Sequence, residues 1–263
     1  MARFCPLFSS SSGNCIYIGA GSGGILIDIG RSTRQTERAL AQIGADPRKI
    51  SAVFITHEHI DHIAGVEVFT KKYKLPVYSS AGTLLSLKKR GILNSGQISL
   101  AVDFSGMSVG GMYVVPFRTS HDAADPLGYV INTPDGRKIG IITDTGFVSY
   151  EALAAITGCD LVYIESNHDI NMLKTGSYPY PLKKRILSEI GHLSNDDCDS
   201  VLTKLINKGT TRFVLAHLSR ENNLPSLAFN SAEAALLQVG GRINRDYLLS
   251  VAEPENKQEI LIL

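Results

Sequence analysis

The chain of 263 residues carries 26 Lys and Arg against 25 Asp and Glu, a formal net charge of +1, with 44% apolar residues and 10 Pro. That balance excludes a polybasic nucleic-acid coat and an acidic solvating protein, though not a local basic groove, and the apolar content excludes disorder or a fibre. A substantial core can be buried, and one layered α/β domain over 1–263 is expected.

The chain starts Met1-Ala2-Arg3-Phe4-Cys5-Pro6-Leu7-Phe8 and runs into four serines, too short and interrupted for the core of an export signal. No run of about 18 apolar residues suggests a membrane span. Cys5, Cys15, Cys159 and Cys198 form no CxxC pair, which argues against a disulfide framework or zinc knuckle and for a reducing, cytoplasmic setting. Short apolar runs alternate with amphipathic ones. Strands are expected at 16–18, 24–29, 52–56, 76–79, 112–117, 128–133, 138–143, 161–165, 212–216 and 247–251, and helices at 33–43, 62–73, 81–89, 150–156, 182–190, 195–208 and 231–238. Thr133-Pro134-Asp135-Gly136-Arg137 reads as a hairpin turn, and Ser194-Asn195-Asp196-Asp197 opens a helix with capping residues. The pattern suits two stacked sheets with helices outside, but periodicity alone does not select that over a three-layer sheet.

The run Ala52-Val53-Phe54-Ile55-Thr56 ends in His57-Glu58-His59-Ile60-Asp61-His62. In extended backbone His57 and His59 point to one side, about 6.5–7 Å apart, and their nitrogens can meet one metal ion at roughly 2.0–2.1 Å. Asp61 and His62 are expected at the loop-to-helix turn, offering a carboxylate and an imidazole to a neighbouring ion. A hard oxygen beside imidazoles suits Zn, Mn or Fe better than Mg or Ca. The bland alternative, solvated histidines near a helix start, needs several metal-capable groups to follow a buried strand by coincidence. His121, Asp144 and His217 each stand at or just past the end of a further apolar run, where α/β sheets build sites.

This order, His57-x-His59-x-Asp61-His62, then His121, Asp144 and His217, resembles the metallo-β-lactamase-fold hydrolases over nearly the whole chain. The resemblance implies a four-layer αββα sandwich and two divalent metal ions, Zn or Mn with Fe as an alternative. One ion would sit on His57, His59 and His121, the other on Asp61, His62 and His217, with Asp144 bridging. It also implies hydrolysis by a hydroxide shared between the ions. A carboxylate at 144 moves the reading away from true β-lactamases, which usually carry Cys or Ser there.

Past Asp144, Glu165 and His192 with Ser194 resemble the strand-end Glu and the His-Ser-Thr element of the tRNA-3′-processing nucleases of this superfamily, with Leu193 inserted. That likeness implies that His192 assists cleavage, that Glu165 orients it and that Asp61 serves the nucleophile. The short interval from Asp144 to His217 leaves no room for a β-CASP insertion. Ser9-Ser10-Ser11-Ser12-Gly13-Asn14, Glu165-Ser166-Asn167-His168-Asp169, Tyr178-Pro179-Tyr180-Pro181-Leu182-Lys183-Lys184-Arg185 and Gly191-His192-Leu193-Ser194-Asn195 resemble the YycJ/WalJ branch. That branch implies a 5′-to-3′ DNA exonuclease linked with DNA repair, with nucleic acid and a mismatch-repair protein as partners. Lys183, Lys184 and Arg220, with Ser194, are candidate phosphate contacts, although Lys183, Lys184 and Arg185 also read as a solvated helix start. His168 reads equally as a site-lining or a loop residue. A small-molecule hydrolase of esters, lactones or cyclic phosphodiesters is the alternative reading. A non-enzymatic module is disfavoured because all seven ligand positions are filled.

Overall fold

The computed structural model describes residues 1–21, 23–256 and 260–263. In chain order its elements are β1 (Arg3–Phe8), β2 (Cys15–Ala20), β3 (Gly23–Ile27), α1 (Thr33–Gln42), a 3-10 turn (Pro47–Lys49), β4 (Ile50–Phe54), α2 (Ile60–Ile63), α3 (Val66–Tyr73), β5 (Val77–Ser79), α4 (Ala81–Lys89), β6 (Ser99–Ala101), β7 (Met107–Val109), β8 (Met112–Arg118) and β9 (Leu127–Asn132). There follow β10 (Lys138–Ile142), α5 (Tyr150–Ile156), β11 (Leu161–Glu165), α6 (Ile170–Thr175), α7 (Tyr180–Ile186), α8 (Asn195–Ile206), β12 (Arg212–Ala216), α9 (Pro225–Gln238), β13 (Leu248–Val251) and β14 (Leu261–Ile262). The chain divides into two compact units, each discontinuous in sequence: Met1–Pro116 with Ala123–Arg137 and Glu253–Leu263, and Phe117–Asp122 with Lys138–Ala252.

Among the described residues there are two seven-stranded sheets, ordered β14-β1-β2-β3-β4-β5-β6 and β13-β12-β11-β10-β9-β8-β7. Both are mixed. In the first, β14, β1, β2 and β3 pair antiparallel and β3 through β6 parallel. In the second, β10 through β13 are parallel and β7 with β8 antiparallel. β4 and β11 are apolar nearly throughout and buried along their length, as parallel strands covered on both faces require. In the first unit Phe54 stacks on Tyr78 at 5.0 Å and meets Tyr129 edge-on at 5.5 Å. The Tyr129 and Ser79 hydroxyls both donate to the Ile55 carbonyl, at 2.7 and 2.8 Å, so the chain leaves β4 in a fixed direction.

The expected strands form, while β1, β6, β7 and β14 were not anticipated. Pro6 hides β1 in the sequence, since proline cannot donate to a ladder. The strand accommodates it where its register with β2 shifts, between Pro6 and Phe8. The other three have only two or three residues, too few to show alternation. The expected helix at 62–73 is broken into α2 and α3. Gly65 N donates to Ile29 O at 2.9 Å, and a β-carbon at Gly65 would lie 2.0 Å from the Arg31 carbonyl, so segment 29–31 presses into the helix track. α7 and α9 begin earlier than expected, each with proline in its first turn, a position where the missing N–H costs nothing. The short α6, capped by Asp169, was not foreseen.

α8 starts as its sequence dictates: Ser194 accepts from Asp197 N, and Asp196 and Asp197 occupy the first turn, where negative charge complements the helix dipole. Further along, burial raises the Asp199 carboxyl to about 6, although Ser231 donates to it. Its pKa is therefore higher folded than unfolded, so it contributes stability below about pH 4 that is lost as pH rises to about 6. Asp199→Asn should then stabilise the protein at pH 7.5, by on the order of 1 kcal/mol after allowing for partial exposure, and give no gain at pH 4. Thermal unfolding at the two pH values checks this.

Candidate metal centre

In the first unit the donors follow β4. His57 and His59 lie past its end in a loop rather than within the strand, and their rings approach to 4.6 Å between centroids, with His57 and His62 at 4.1 Å. The spacing expected for extended backbone is thus replaced by a tighter turn. Asp61 and His62 fall in α2, as expected of the loop-to-helix turn. His57 and His62 are each 1% exposed.

Asp28, just past β3, organises this loop. It is buried and left-handed at φ 60°, a conformation Asp tolerates better than most residues. Its Oδ1 accepts from Thr56 N and its Oδ2 from Thr56 Oγ1 and His62 Nδ1, all at 2.8 Å. Burial pushes its pKa up, and His62 with the Thr56 donors opposes that rise. With its proton committed to Asp28, Thr56 Oγ1 accepts from His57 Nδ1 at 3.1 Å. Both imidazoles are thus gripped by Nδ1 and turn Nε2 to the opposite side of the ring, the arrangement that fixes tautomer and direction in metal-ligating histidines. Asn14 Nδ2 lies 3.0 Å from His62 Nε2 and 3.3 Å from Asp61 Oδ2: two Lewis-basic atoms converge on one electropositive partner.

In the second unit, the loop carrying His121 is sewn to two others. His121 Nδ1 donates to Gly191 O at 2.9 Å, Gly146 N to Ser120 O at 2.8 Å and Asp122 N to Ile190 O at 3.1 Å. Asp144 and His217 are both left-handed at φ 53° and both 2% exposed. Asp144 Oδ1 lies 3.9 Å from His121 Nε2, 3.8 Å from His192 Nδ1 and 3.6 Å from His217 Nδ1. Glu165, fully buried at the end of β11, holds the cluster together. Its Oε1 accepts from His192 Nδ1 at 2.8 Å and His217 Nδ1 at 2.9 Å, and its Oε2 from Thr145 N at 2.9 Å and Leu193 N at 3.3 Å. Burial acts against its charge, but His192 and His217 outweigh burial and hold Glu165 well below the ordinary carboxylate range. Reciprocally, burial would lower His192, and the Glu165 charge and hydrogen bond lift it above the ordinary imidazole value. Burial lowers His121.

Each unit therefore presents imidazoles held from behind, with carboxylate oxygens beside them, a donor set suited to Zn or Mn. Sequence reasoning named these candidate donors but missed Asp28, and it read Asn167, whose side-chain amide donates to the His217 carbonyl at 2.8 Å, only as part of the run 165–169. It read Asn14 only as part of a serine-rich turn. No local spacing marks such residues; an acid directly after a short apolar strand is the one available cue, and it fits Asp28.

The remaining candidates are distributed unevenly. Ser194 caps α8, donating to Asp197 Oδ2 at 2.6 Å and accepting from Asp197 N at 3.1 Å. The Lys183 ammonium donates to Lys174 O at 2.8 Å and Gly176 O at 2.6 Å, closing the end of α6. Lys184 and Arg220 are exposed. Arg185 pairs with Asp122, with Nη2 to Oδ1 at 2.8 Å. His168 is not a surface loop residue. It is 1% exposed, its two ring nitrogens have no hydrogen-bond partner among the described residues, and burial lowers its pKa to about 4, so the ring is neutral at pH 7.

Residues 24–218 match the family described as the beta-lactamase superfamily domain. The chain belongs to this superfamily, and its two mixed sheets flanked by helices are consistent with the αββα sandwich; its candidate metal donors and its exodeoxyribonuclease relatives make it a metal-dependent hydrolase. Within it, the chain is 35% identical to exodeoxyribonuclease YycJ of Bacillus anthracis over 98% of both chains. It is 34% identical to exodeoxyribonuclease WalJ of Streptococcus pneumoniae over 96% of this chain and 95% of that one. The Zn(2+)-bound PqqB structure from Methylobacterium extorquens shares the fold at TM-score 0.75 and 17% identity, each chain covered completely.

Removing the grip on His62 should weaken metal binding while leaving every ligand in place. Asp28→Asn should lower affinity for a divalent ion at the candidate site that includes His62 by roughly 10–100-fold, measured by competition of the purified protein with a chromogenic zinc chelator.

Proposed function

We propose that this chain is a metal-dependent 5′-to-3′ exodeoxyribonuclease, acting in the cytoplasm and linked with DNA repair, with a mismatch-repair protein among its partners. The observation that carries the nuclease reading is the buried Glu165 holding His192 beside Asp144, together with full-length similarity to relatives named as exodeoxyribonucleases. Cys5, Cys15, Cys159 and Cys198 are free thiols, which fits a reducing compartment. No helix among the described residues is long and apolar enough to cross a membrane.

In this reading His57, His59 and His121 would hold one divalent ion and Asp61, His62 and His217 the other, and Asp144 would serve both. Zn and Mn suit the donors, and Fe is an alternative. When bound, the ions supply Lewis acidity at the phosphate and lower the pKa of the attacking water. Asp61 orients that water and takes its proton. His192, with Nδ1 fixed on Glu165 and its pKa raised by that carboxylate, carries a proton on Nε2 for the leaving oxygen. Glu165 keeps the imidazole in that tautomer throughout. Lys184 and Arg220 supply positive charge for the nucleic-acid backbone, Ser194 and Lys183 serving chiefly the helix ends described above.

The deciding experiment uses 5′-end-labelled linear duplex DNA with metal-stripped and then Mn- or Zn-reconstituted protein, with RNA and closed circular DNA as controls. Metal-dependent release of nucleotides from linear DNA alone is expected. Failure to cleave any polymer by protein shown to hold two ions would transfer the reading to a small-molecule hydrolase. His192→Ala should keep its metal content and slow turnover by about 10²–10⁴-fold, whereas Asp144→Ala should lose metal as well as activity; metal analysis beside single-turnover rates separates the two.

A further inference from the structure

Against the serine-rich turn before β2 lies a cation, Arg31, whose charge no carboxylate among the described residues neutralises. Arg31 lies half-buried just beyond Asp28-Ile29-Gly30, and its side chain is laid across Gly13, where a β-carbon would stand 2.5 Å from its Nε and 2.6 Å from its Cδ. Its guanidinium carbon sits 5.8 Å from the Phe8 ring centroid, and Nη2 donates to Ser12 Oγ at 2.9 Å. Ser12 is itself braced, with Ser10 Oγ 2.9 Å from its hydroxyl. The Arg31 Nε is buried without a hydrogen-bond partner among the described residues.

Several other cations contrast with this, although Arg3 is also held by an aromatic residue, on the Tyr17 ring at 5.7 Å and the Tyr17 hydroxyl at 3.1 Å. Arg185 is neutralised by Asp122, Arg48 by Asp46 and Lys72 by Glu37, and Lys183 is engaged by carbonyls. A half-buried guanidinium held beside an exposed serine hydroxyl offers a tetrahedral oxyanion both charge and planar N–H donors.

The turn is joined to the metal donors by backbone. Asn14 N donates to Asp61 O at 2.8 Å, and Gly30 N to Asn14 O at 2.7 Å. A β-carbon at Gly30 would stand 1.7 Å from Asp61 O and 2.4 Å from Asn14 N. The backbone that leads into Arg31 is therefore tied to that of Asp61.

We propose that Arg31 and Ser12 form a phosphate-binding site that holds a substrate phosphate other than the one cleaved, either the terminal 5′ phosphate or an internal phosphodiester. This rests on the nuclease reading above and names the contact that would register the DNA strand against Asp61 and His62. Glycine at 13 leaves room for the Arg31 side chain, glycine at 65 for the Arg31 carbonyl, and glycine at 30 lets this segment pass against the Asp61 and Asn14 backbone.

The test compares metal-loaded wild type with Arg31→Gln on linear DNA. The variant should raise KM about tenfold with kcat within about twofold, and flatten the dependence of kcat/KM on salt by about one phosphate contact. Substrates with a 5′ phosphate or 5′ hydroxyl, and others with a single neutral methylphosphonate at successive positions, locate the phosphate. Neutralising it should cost the wild type about tenfold and leave Arg31→Gln unaffected. Equal KM and salt dependence in the two proteins, or equal penalties at every substituted position, would overturn the assignment while leaving the nuclease reading intact. Wild type that leaves all DNA whole would overturn both. Thermal unfolding and metal content establish that the variant is folded. Should it not fold, Arg31→Lys carries the test: charge without the planar fork should raise KM by a smaller factor and leave the salt dependence unchanged, and an unaltered KM would count against the site.

Discussion

A carboxylate sealed away from water must find a donor for its lone pairs, and this protein uses that requirement twice. Asp28 gathers Thr56 and His62, and Glu165 gathers Thr145, Leu193, His192 and His217. An unpaired buried charge costs several kcal/mol, so each carboxylate draws its loop into one arrangement and keeps it there. The imidazoles are aimed as a result. Ligand geometry here follows from solvation of two acids that need not touch a metal ion at all.

Backbone conformation makes that solution reachable. Asp28, Asp144 and His217 leave their strands through left-handed conformations, uncommon for residues with a β-carbon. Each turn reverses the side-chain direction that the pleat would otherwise impose, so a strand buried along its length ends by presenting a polar group. Asn167 ties down the His217 carbonyl, and Thr145 anchors the turn at Asp144 through Glu165. Local conformational cost of roughly 1–3 kcal/mol per non-glycine residue is carried by hydrogen bonds of this kind.

Most of the candidate donor set was legible because metal-capable residues cluster in the sequence or mark strand ends: His57, His59, Asp61 and His62 stand together, and Asp144 and His217 follow apolar runs. The core strands were legible for the same reason that parallel strands are buried, as continuous apolar runs. What was hidden depends on tertiary approach. Pro6 disguised β1, the intrusion of segment 29–31 split the helix expected at 62–73, the partner of Arg185 is distant in sequence, and Lys183 turns back onto carbonyls at the end of the preceding helix. A charged residue shows its type in a sequence but not whether a neighbour has already neutralised it. For that reason the contiguous cationic run at 183–185 stood out while Arg31, spaced from Arg34 and Arg38, did not.

The sharing of a single oxygen, Oε1 of Glu165, between His192 and His217 has a consequence for how such a site can diverge. Any rotation of that carboxylate swings both rings, so neither imidazole can be retuned separately by small shifts of its own loop. Positions 165, 192 and 217 form one heritable unit. A descendant of this chain adopting new chemistry would have to exchange the three together, or pass through an ancestor in which one ring had lost its anchor.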